Sequence, residues 1–315
     1  MKILLVVDGS SYSRIAARML KALRLPEGTE VTILTVVPEP TFLGGITLNA
    51  IMGTSEARIK ANDEQQERAL ILLAETSRAL GKGRLNVETM VRWGNPAEVI
   101  FSEAEEGKAG LIVMGAKGLT DPLNFRLGSV ALNVAKYAKS SILLVRKKTA
   151  SLANEPRKTE GMTTVKRVLF ATDGSRYAEE AVQLLLSLPV PQRAEVIILT
   201  ALHSHHESWW KAPTLNLGTD REALAKIQAA EEAEARKITG QAEKQFQERG
   251  YKAIPVIKQG EASDCIIAAA MEYRPDIIAL GSRGLTGIES YLLGSVTERI
   301  SRYANCPVLI ARNVR

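Results

Sequence analysis

A loop containing three glycines and a serine occurs twice in this chain, and its residue types suit a bound phosphate. Gly115 and Gly118 are followed by Gly128 and Ser129, and the same residue types return 166 positions later, at Gly281, Gly284, Gly294 and Ser295. A glycine at a strand end lets a ligand approach the backbone closely. The Gly-Ser pair opens a helical pattern, where exposed N–H groups and the helix dipole attract anions. The repeat therefore predicts a phosphate site in each half.

The loop matches neither of the two common phosphate-binding fingerprints. It has no Gly-Lys-Ser/Thr as in a Walker loop, and it is not a G-x-G-x-x-G sequence. Ser129 and Ser295 either donate a hydroxyl to the ligand or cap the following helix. Lys117 and Arg283 either place a positive charge near phosphate or are solvated.

An aspartate precedes a Gly-Ser pair near the start of each half, at Asp8 and at Asp173. Each follows an apolar run that predicts a buried strand. The carboxylate could accept a hydrogen bond from a ribose hydroxyl or an adenine amine. Alternatively, it could form an Asx-turn or a helix cap. Its repetition at matching positions favours ligand contact.

The segments around these residues alternate between strand and helix patterns in both halves. This order predicts a parallel α/β sheet with right-handed crossovers. Ligands bind such sheets beyond the carboxyl ends of the strands. If the first and fourth strands are neighbours, Asp8 and Gly115 face one crevice. Alternating polarity over residues 87–91 and the presence of Pro255 place the third strand of each half at a sheet edge.

Composition fits a two-domain globular protein. The 315 residues are 45% hydrophobic, without a run of 18 apolar residues that would predict a transmembrane helix. The duplication predicts one domain over residues 1–147, a linker over 148–164 and a second domain over 165–315. Two distant cysteines suggest a reduced, cytoplasmic setting. A net charge of +6 with 5% aromatic residues argues against nucleic-acid binding and is compatible with attraction to phosphate ligands.

Three segments have more than one interpretation. Irregular apolar stretches at 38–53 and 202–219 are either lids over a ligand or surfaces that dock one half on the other, and docking is favoured. A third feature is a cluster of histidines, which either binds zinc or another transition metal or lies in a solvated loop. Its members are His203, His205 and His206.

Taken together, the motifs resemble the universal stress protein family. The resemblance rests on the two Asp-Gly-Ser segments, the two glycine loops and the closing apolar runs at 141–145 and 306–310, which occur in the family's order. The glycine motif marks the ATP-binding branch of that family. The resemblance implies two tandem Rossmann-like domains of the adenine nucleotide alpha hydrolase type. Each would be a five-stranded parallel sheet in the order 3-2-1-4-5 with helices on both faces.

The resemblance also assigns a role to individual residues. Asp8 and Asp173 would reach the nucleoside, and the backbone at Val36 and Ala201 would border adenine. No residue is assigned a catalytic role, and Mg²⁺ would be carried by the ATP phosphates. The ribose and phosphates would be held by Gly115, Lys117, Gly118, Gly128, Ser129 and Val130 in the first half, and by Gly281, Arg283, Gly284, Gly294, Ser295 and Val296 in the second.

The first loop departs from the family's usual Gly-Leu-Thr-Gly. It continues as Gly118-Leu119-Thr120-Asp121-Pro122. Asp121 adds a negative charge where phosphates are expected, so we expect weaker binding in the first half. In the second half, Ala201 is smaller than its counterpart Val36 and could enlarge the adenine pocket.

The resulting hypothesis is an ATP-binding universal stress protein that acts as a nucleotide-dependent stress-response regulator. A slow ATPase or phosphotransferase is one alternative, and a nucleotide-independent scaffold is another. The resemblance further implies that the two halves pair through their last strands. A homodimer and an unknown protein partner belong to the same hypothesis.

Overall fold

The computed structural model describes residues 1–23, 25–38, 55–81, 83–119, 127–147, 164–191, 193–202, 221–285 and 293–312. The described residues up to Lys147 belong to one compact unit, and those from Thr164 to Arg312 belong to a second.

The described part of the first unit alternates strands and helices. Its strands pair in parallel in the order β3-β2-β1-β4-β5, which confirms the predicted order 3-2-1-4-5. The elements are β1 (Lys2–Val6), α1 (Ser11–Ala22), β2 (Thr29–Val37), α2 (Ser55–Leu80), β3 (Leu85–Trp93), α3 (Pro96–Glu106), β4 (Leu111–Gly115), α4 (Ser129–Tyr137) and β5 (Ser141–Val145).

The second unit repeats this architecture. Its strands are also parallel, in the order β8-β7-β6-β9-β10, so each strand has the same neighbours as its counterpart in the first unit. The elements are β6 (Arg167–Ala171), α5 (Arg176–Ser187), β7 (Glu195–Leu202), α6 (Arg221–Glu248), β8 (Lys252–Gln259), α7 (Ala262–Tyr273), β9 (Ile277–Gly281), α8 (Ser295–Tyr303) and β10 (Val308–Ala311).

The predicted positions of the third strands at sheet edges are confirmed. β3 pairs with β2, and none of its residues is fully buried. By contrast, the inner strand β9 is buried at every residue. Helices on both faces cover the inner strands, which explains their continuous apolar sequences. Pro255 lies in β8, the corresponding edge strand of the second unit, where a missing N–H donor is tolerated.

The longest described helices are amphipathic and charged. α2 has 26 residues and α6 has 28, and much of the α6 surface is exposed Glu, Lys and Gln. Among the helices that the structure describes, none combines the length and apolarity needed to cross a membrane.

Charged side chains tie three strands of the second unit at their amino ends, away from the carboxyl edge. Arg167 donates from Nε and Nη2 to Glu195 Oε2 over 3.1 and 2.9 Å, and Lys252 Nζ lies 2.6 Å from Glu195 Oε1. The bond from Lys252, followed by that from Arg167, holds the pKa of Glu195 below its ordinary value. Glu195 therefore links β6, β7 and β8 as a carboxylate.

Candidate functional site

The aspartates and the glycine loops meet at the carboxyl edge of each sheet. In the first unit β1 pairs with β4, with Val6 opposite Met114, so Asp8 follows one strand while Gly115 ends its neighbour. In the second unit β6 pairs with β9, and Asp173 stands in the same relation to Gly281. The predicted adjacency of the first and fourth strands is confirmed in both units.

The first glycine of each loop is required by packing. A Cβ on Gly115 would lie 2.8 Å from Tyr12 Cβ, and one on Gly281 would lie 2.5 Å from the carbonyl carbon of Tyr177. Real Cβ atoms do not approach so closely, so the ends of β4 and β9 can contact α1 and α5, the helices that follow the neighbouring strands, only without a side chain. Sequence reasoning expected this space to serve a ligand and missed the two tyrosines. Their matching positions, two residues after the serine of each Asp-Gly-Ser, were the available signal.

Each Asp-Gly-Ser segment forms a turn that leads into a helix. Asp8 Oδ1 accepts the N–H of Ser10 over 2.9 Å, and Asp173 Oδ1 accepts that of Ser175 over 3.0 Å. The glycine between them has φ of +79° in the first half and +77° in the second, in the left-handed region. The serine hydroxyls then cap α1 and α5. The Asx-turn proposed as the alternative role of these aspartates is thus present.

The second carboxylate oxygen of each aspartate contacts the glycine loop, which sequence reasoning did not anticipate. The N–H of Leu119 donates to Asp8 Oδ2 over 3.1 Å, and the N–H of Leu285 donates to Asp173 Oδ2 over 2.9 Å. An ionised carboxylate has about four acceptor positions, so these bonds leave capacity for a ligand. The aspartates are half-buried in both units.

The loops close through their own backbone. Gly128 donates to the carbonyl of Ala116 over 2.8 Å, and Gly294 donates to that of Ser282 over 2.9 Å. Each loop thereby returns its Gly-Ser pair to the carboxyl edge of the sheet, where the next helix begins.

The helices that follow the loops begin without a side-chain cap from the described residues. Gly128 and Gly294 are the N-cap residues of α4 and α8, and no side chain of the described residues makes a capping hydrogen bond at either position. Ser129 and Ser295 are the first helical residues and are exposed. The alternative that these serines cap the helices is therefore wrong, because the cap falls one residue earlier. The first-turn N–H groups form a site that suits an anion.

The cation of the second loop lies against an aromatic ring. Arg283 stacks over Tyr177 at 5.5 Å from the ring centroid and donates to the hydroxyl over 3.0 Å. Arg176, the residue before Tyr177, also stacks over the ring, at 4.8 Å from its centroid, and donates to the same hydroxyl over 2.8 Å. The bond from Arg176, with a smaller contribution from Arg283, keeps the pKa of Tyr177 below its ordinary value. Burial, together with the nearby Arg283, lowers the pKa of Arg312 to about 10.

The first unit has a related arrangement with lysines. Lys147 Nζ lies 5.4 Å from the ring centroid of Tyr12. Lys117 is half-buried in the loop, and its carbonyl accepts the hydroxyl of Ser10 over 3.5 Å. Both units therefore place positive charge beside the tyrosine that packs on the first glycine.

The remaining predicted positions are divided between the carboxyl edge and undescribed segments. Val36 and Ala201 are half-buried and precede the last residues of β2 and β7, the strands next to β1 and β6. Val130 and Val296 are the second residues of α4 and α8. Asp121, Pro122 and the histidines at 203, 205 and 206 lie outside the described residues. Among the described residues, no group of three metal-binding side chains is close enough to hold an ion.

Comparison with known proteins agrees with this architecture. The profile of the Universal stress protein family matches residues 1–146 and matches again over residues 164–312. The chain belongs to the universal stress protein family. Because the profile matches twice, this universal stress protein is a tandem member.

Relatives of the single and the tandem kind are similar to this universal stress protein. Universal stress protein YxiE of Bacillus subtilis is 30% identical over 148 residues, which cover 46% of this chain and 98% of the relative. Universal stress protein Slr1230 of Synechocystis is 22% identical over 327 aligned positions, which cover 98% of this chain and 99% of the relative. A universal stress protein structure from Archaeoglobus fulgidus has a TM-score of 0.59 at 21% identity, covering 99% of this chain and 98% of its own, and shows the shared fold.

Proposed function

We propose that this universal stress protein binds an adenine nucleotide in each half, with ATP as the ligand. The observation that carries the proposal is the duplicated carboxyl edge, where an Asp-Gly-Ser turn, a closed glycine loop and a helix N-terminus without a side-chain cap among the described residues meet. Such a helix end suits phosphate because its N–H groups and its dipole both favour negative charge. The glycine motif, by its resemblance to the ATP-binding branch of the family, supports ATP as the nucleotide.

The residues around each loop divide the ligand between them in this proposal. The phosphates lie at the first turn of α4 or α8, where Ser129 or Ser295 adds a hydroxyl. Adenine lies beside Val36 or Ala201, and the ribose lies between adenine and the loop. Lys117 and Arg283 supply positive charge. When bound, Mg²⁺ would be carried by the phosphates and would need few protein ligands.

We propose that the bound nucleotide regulates the protein. The described groups at each loop are backbone N–H donors, hydroxyls and a cation, which suit binding and charge neutralisation, together with an aspartate carboxylate that already accepts two backbone N–H bonds. Efficient phosphoryl transfer would also need an oriented nucleophile and a positioned metal. Nucleotide occupancy would then set the conformation that a protein partner recognises in a stress response. Slow hydrolysis and a nucleotide-independent scaffold are the competing functions.

The deciding experiment is to identify the nucleotide released when the purified protein is denatured. About two ATP per chain would support two sites, whereas about one would support occupancy of the second half alone. Release of ADP alone would favour the hydrolase. If no nucleotide is released, and calorimetry with Mg²⁺ and ATP shows no binding, the nucleotide proposal is wrong and the scaffold is preferred.

The domain limits are proposed to be 1–147 and 165–315, joined by a linker over 148–164. Pairing of the two halves through their last strands, a homodimer and a cytoplasmic location belong to the same proposal. Limited proteolysis tests the linker directly. We expect the first cleavage within 148–164 and two resistant fragments of similar mass, and early cleavage elsewhere would contradict the limits.

A further inference from the structure

Each aspartate at the carboxyl edge joins two segments that are far apart in sequence. One oxygen of Asp8 holds its own turn, while the other accepts the N–H of Leu119, 111 residues away. Asp173 repeats this division, and its loop partner Leu285 is 112 residues away. All four donor–acceptor distances lie between 2.9 and 3.1 Å. The same two bonds in two copies of the domain indicate a fixed feature of the fold.

The second glycine of the loop leaves room for this carboxylate. A Cβ built on Gly284 would lie 2.6 Å from Asp173 Oδ2, which is closer than real Cβ atoms approach. Any larger residue would push the aspartate away from the loop. In the second half, Gly284 and Asp173 are therefore sterically matched without any ligand.

We propose that Asp8 and Asp173 are positioning residues that hold the glycine loops in their binding conformation before a ligand arrives. The identity of the ligand rests on the proposed function, whereas the hold on the loop is a property of the ligand-free chain. Hydrogen bonds to a carboxylate are about twice as strong as neutral ones, so they suit this task. A loop held in advance has less conformational freedom to lose when it binds.

Amide hydrogen exchange in the ligand-free protein tests the hold. We expect Asp173→Ala to speed exchange at Leu285 by about tenfold or more, because its N–H loses a charge-assisted acceptor. Leu119 in the other half should keep its wild-type rate and serves as an internal control. Asp8→Ala should give the reciprocal result.

The amides of Ile278 and Ser175 make this experiment decisive. The N–H of Ile278 donates to Pro307 inside the sheet over 2.9 Å, so its continued protection would show that the variant is folded. Asp173→Asn offers one side-chain oxygen in place of two, so it should release either Ser175 or Leu285 but retain the other. Wild-type exchange at Leu285 in a folded Asp173→Ala protein would overturn the proposal.

Nucleotide analogues separate positioning from direct contact with the ligand. The wild type and an Asp8→Ala/Asp173→Ala variant would be compared in binding ATP, 2′-deoxy-ATP, 3′-deoxy-ATP and inosine triphosphate, which lacks the adenine amine. A positioning role weakens all four by the same factor, about tenfold. Selective loss of discrimination between the analogues would show that the aspartates also contact ribose or adenine. If the variant binds all four nucleotides as tightly as the wild type, the hold on the loops does not aid binding and the proposal is wrong.

The two experiments can fail independently. A wild-type protein that binds none of the four nucleotides would refute the proposed function. The exchange rates of Leu119 and Leu285 would still decide whether the aspartates hold the loops.

Discussion

Gly281 and Tyr177 approach each other so closely that residue 281 cannot carry a side chain. A Cβ there would lie 2.5 Å from the Tyr177 carbonyl carbon and 2.6 Å from its oxygen. Because the obstacle is backbone, rotation of a side chain cannot relieve it. We predict that Gly281→Ala destabilises the second unit by about 3 kcal/mol, measured by chemical denaturation.

Two other glycines provide the comparison for this prediction. Gly115→Ala should destabilise the first unit by somewhat less, since a Cβ there would lie 2.8 Å from its nearest neighbour, Tyr12 Cβ. Gly240 lies in α6 with open space around its Cβ position. Gly240→Ala should therefore stabilise the protein by up to about 1 kcal/mol, from helix propensity. If Gly281→Ala behaved like Gly240→Ala, the close-packing explanation would be wrong.

The first loop offers a test of unequal nucleotide binding. Asp121 places a negative charge after Gly118-Leu119, where the second half has Gly287. We predict that Asp121→Gly raises ATP affinity in the first half by about tenfold, because one carboxylate near phosphate costs on the order of 1 kcal/mol. Calorimetric stoichiometry and affinity would measure this change. Asp63→Asn, which alters an exposed carboxylate on α2, provides a charge-matched control and should leave both sites unchanged.

Tyr177, beside the second loop, should lose its proton at a lower pH than an ordinary tyrosine. Its pKa is lowered, with Arg176 as the largest cause and Arg283 as a smaller one. We predict that Arg176→Ala raises the pKa of Tyr177 more than Arg283→Ala does. Near-ultraviolet absorbance during an alkaline titration measures this, and the Tyr177→Phe spectrum identifies the contribution of Tyr177. The opposite order would show that Arg283 is the main partner of the hydroxyl.

Acid should weaken the tie between the strands of the second unit. The pKa of Glu195 is lowered below its ordinary value of 4.5 by Lys252 and then Arg167. A carboxylate with a depressed pKa stabilises the fold above its unfolded-state pKa and loses that contribution as pH falls through the folded-state value. Glu195→Gln should therefore lower the free energy of unfolding by less than about 1 kcal/mol at neutral pH and leave it unchanged in strong acid. Chemical denaturation at the two pH values measures this difference.

The first unit supplies a matched control for the acid experiment. Glu30 occupies the corresponding strand position, but its side chain is 57% exposed and pairs with Lys2 over 3.1 Å. Glu30→Gln should have a smaller effect at neutral pH. Equal effects of both substitutions would mean that the double contact of Glu195 adds no stability.

The sequence predicted the fold well because its signals were local and occurred twice. Buried strands appeared as apolar runs, and the edge strands were recognised by alternating polarity and by Pro255. The strand order came from family resemblance, since apolar runs alone do not specify which strands become neighbours. Side-by-side packing of β1 and β4 then confirmed that Asp8 and Gly115 share one edge.

The roles of individual site residues were harder to predict. Gly281 was interpreted through a ligand, but its neighbour is Tyr177, 104 positions earlier in the chain. Likewise, the oxygen that accepts Leu285 N–H could not be found from spacing, because it depends on how a turn and a distant loop meet in space. Local patterns identify which residues are special, whereas such long-range contacts explain why.

The steric match between Asp173 and Gly284 has an evolutionary consequence. A side chain at position 284 would displace the Asp173 carboxylate from the loop, so selection for the bond from Leu285 to Asp173 should favour glycine there, whether or not a nucleotide binds. Once the aspartate is replaced by a smaller residue, that constraint disappears. Among relatives of this domain, the two positions should therefore change together, and glycine at the second should persist in lineages that have lost the nucleotide but kept the aspartate.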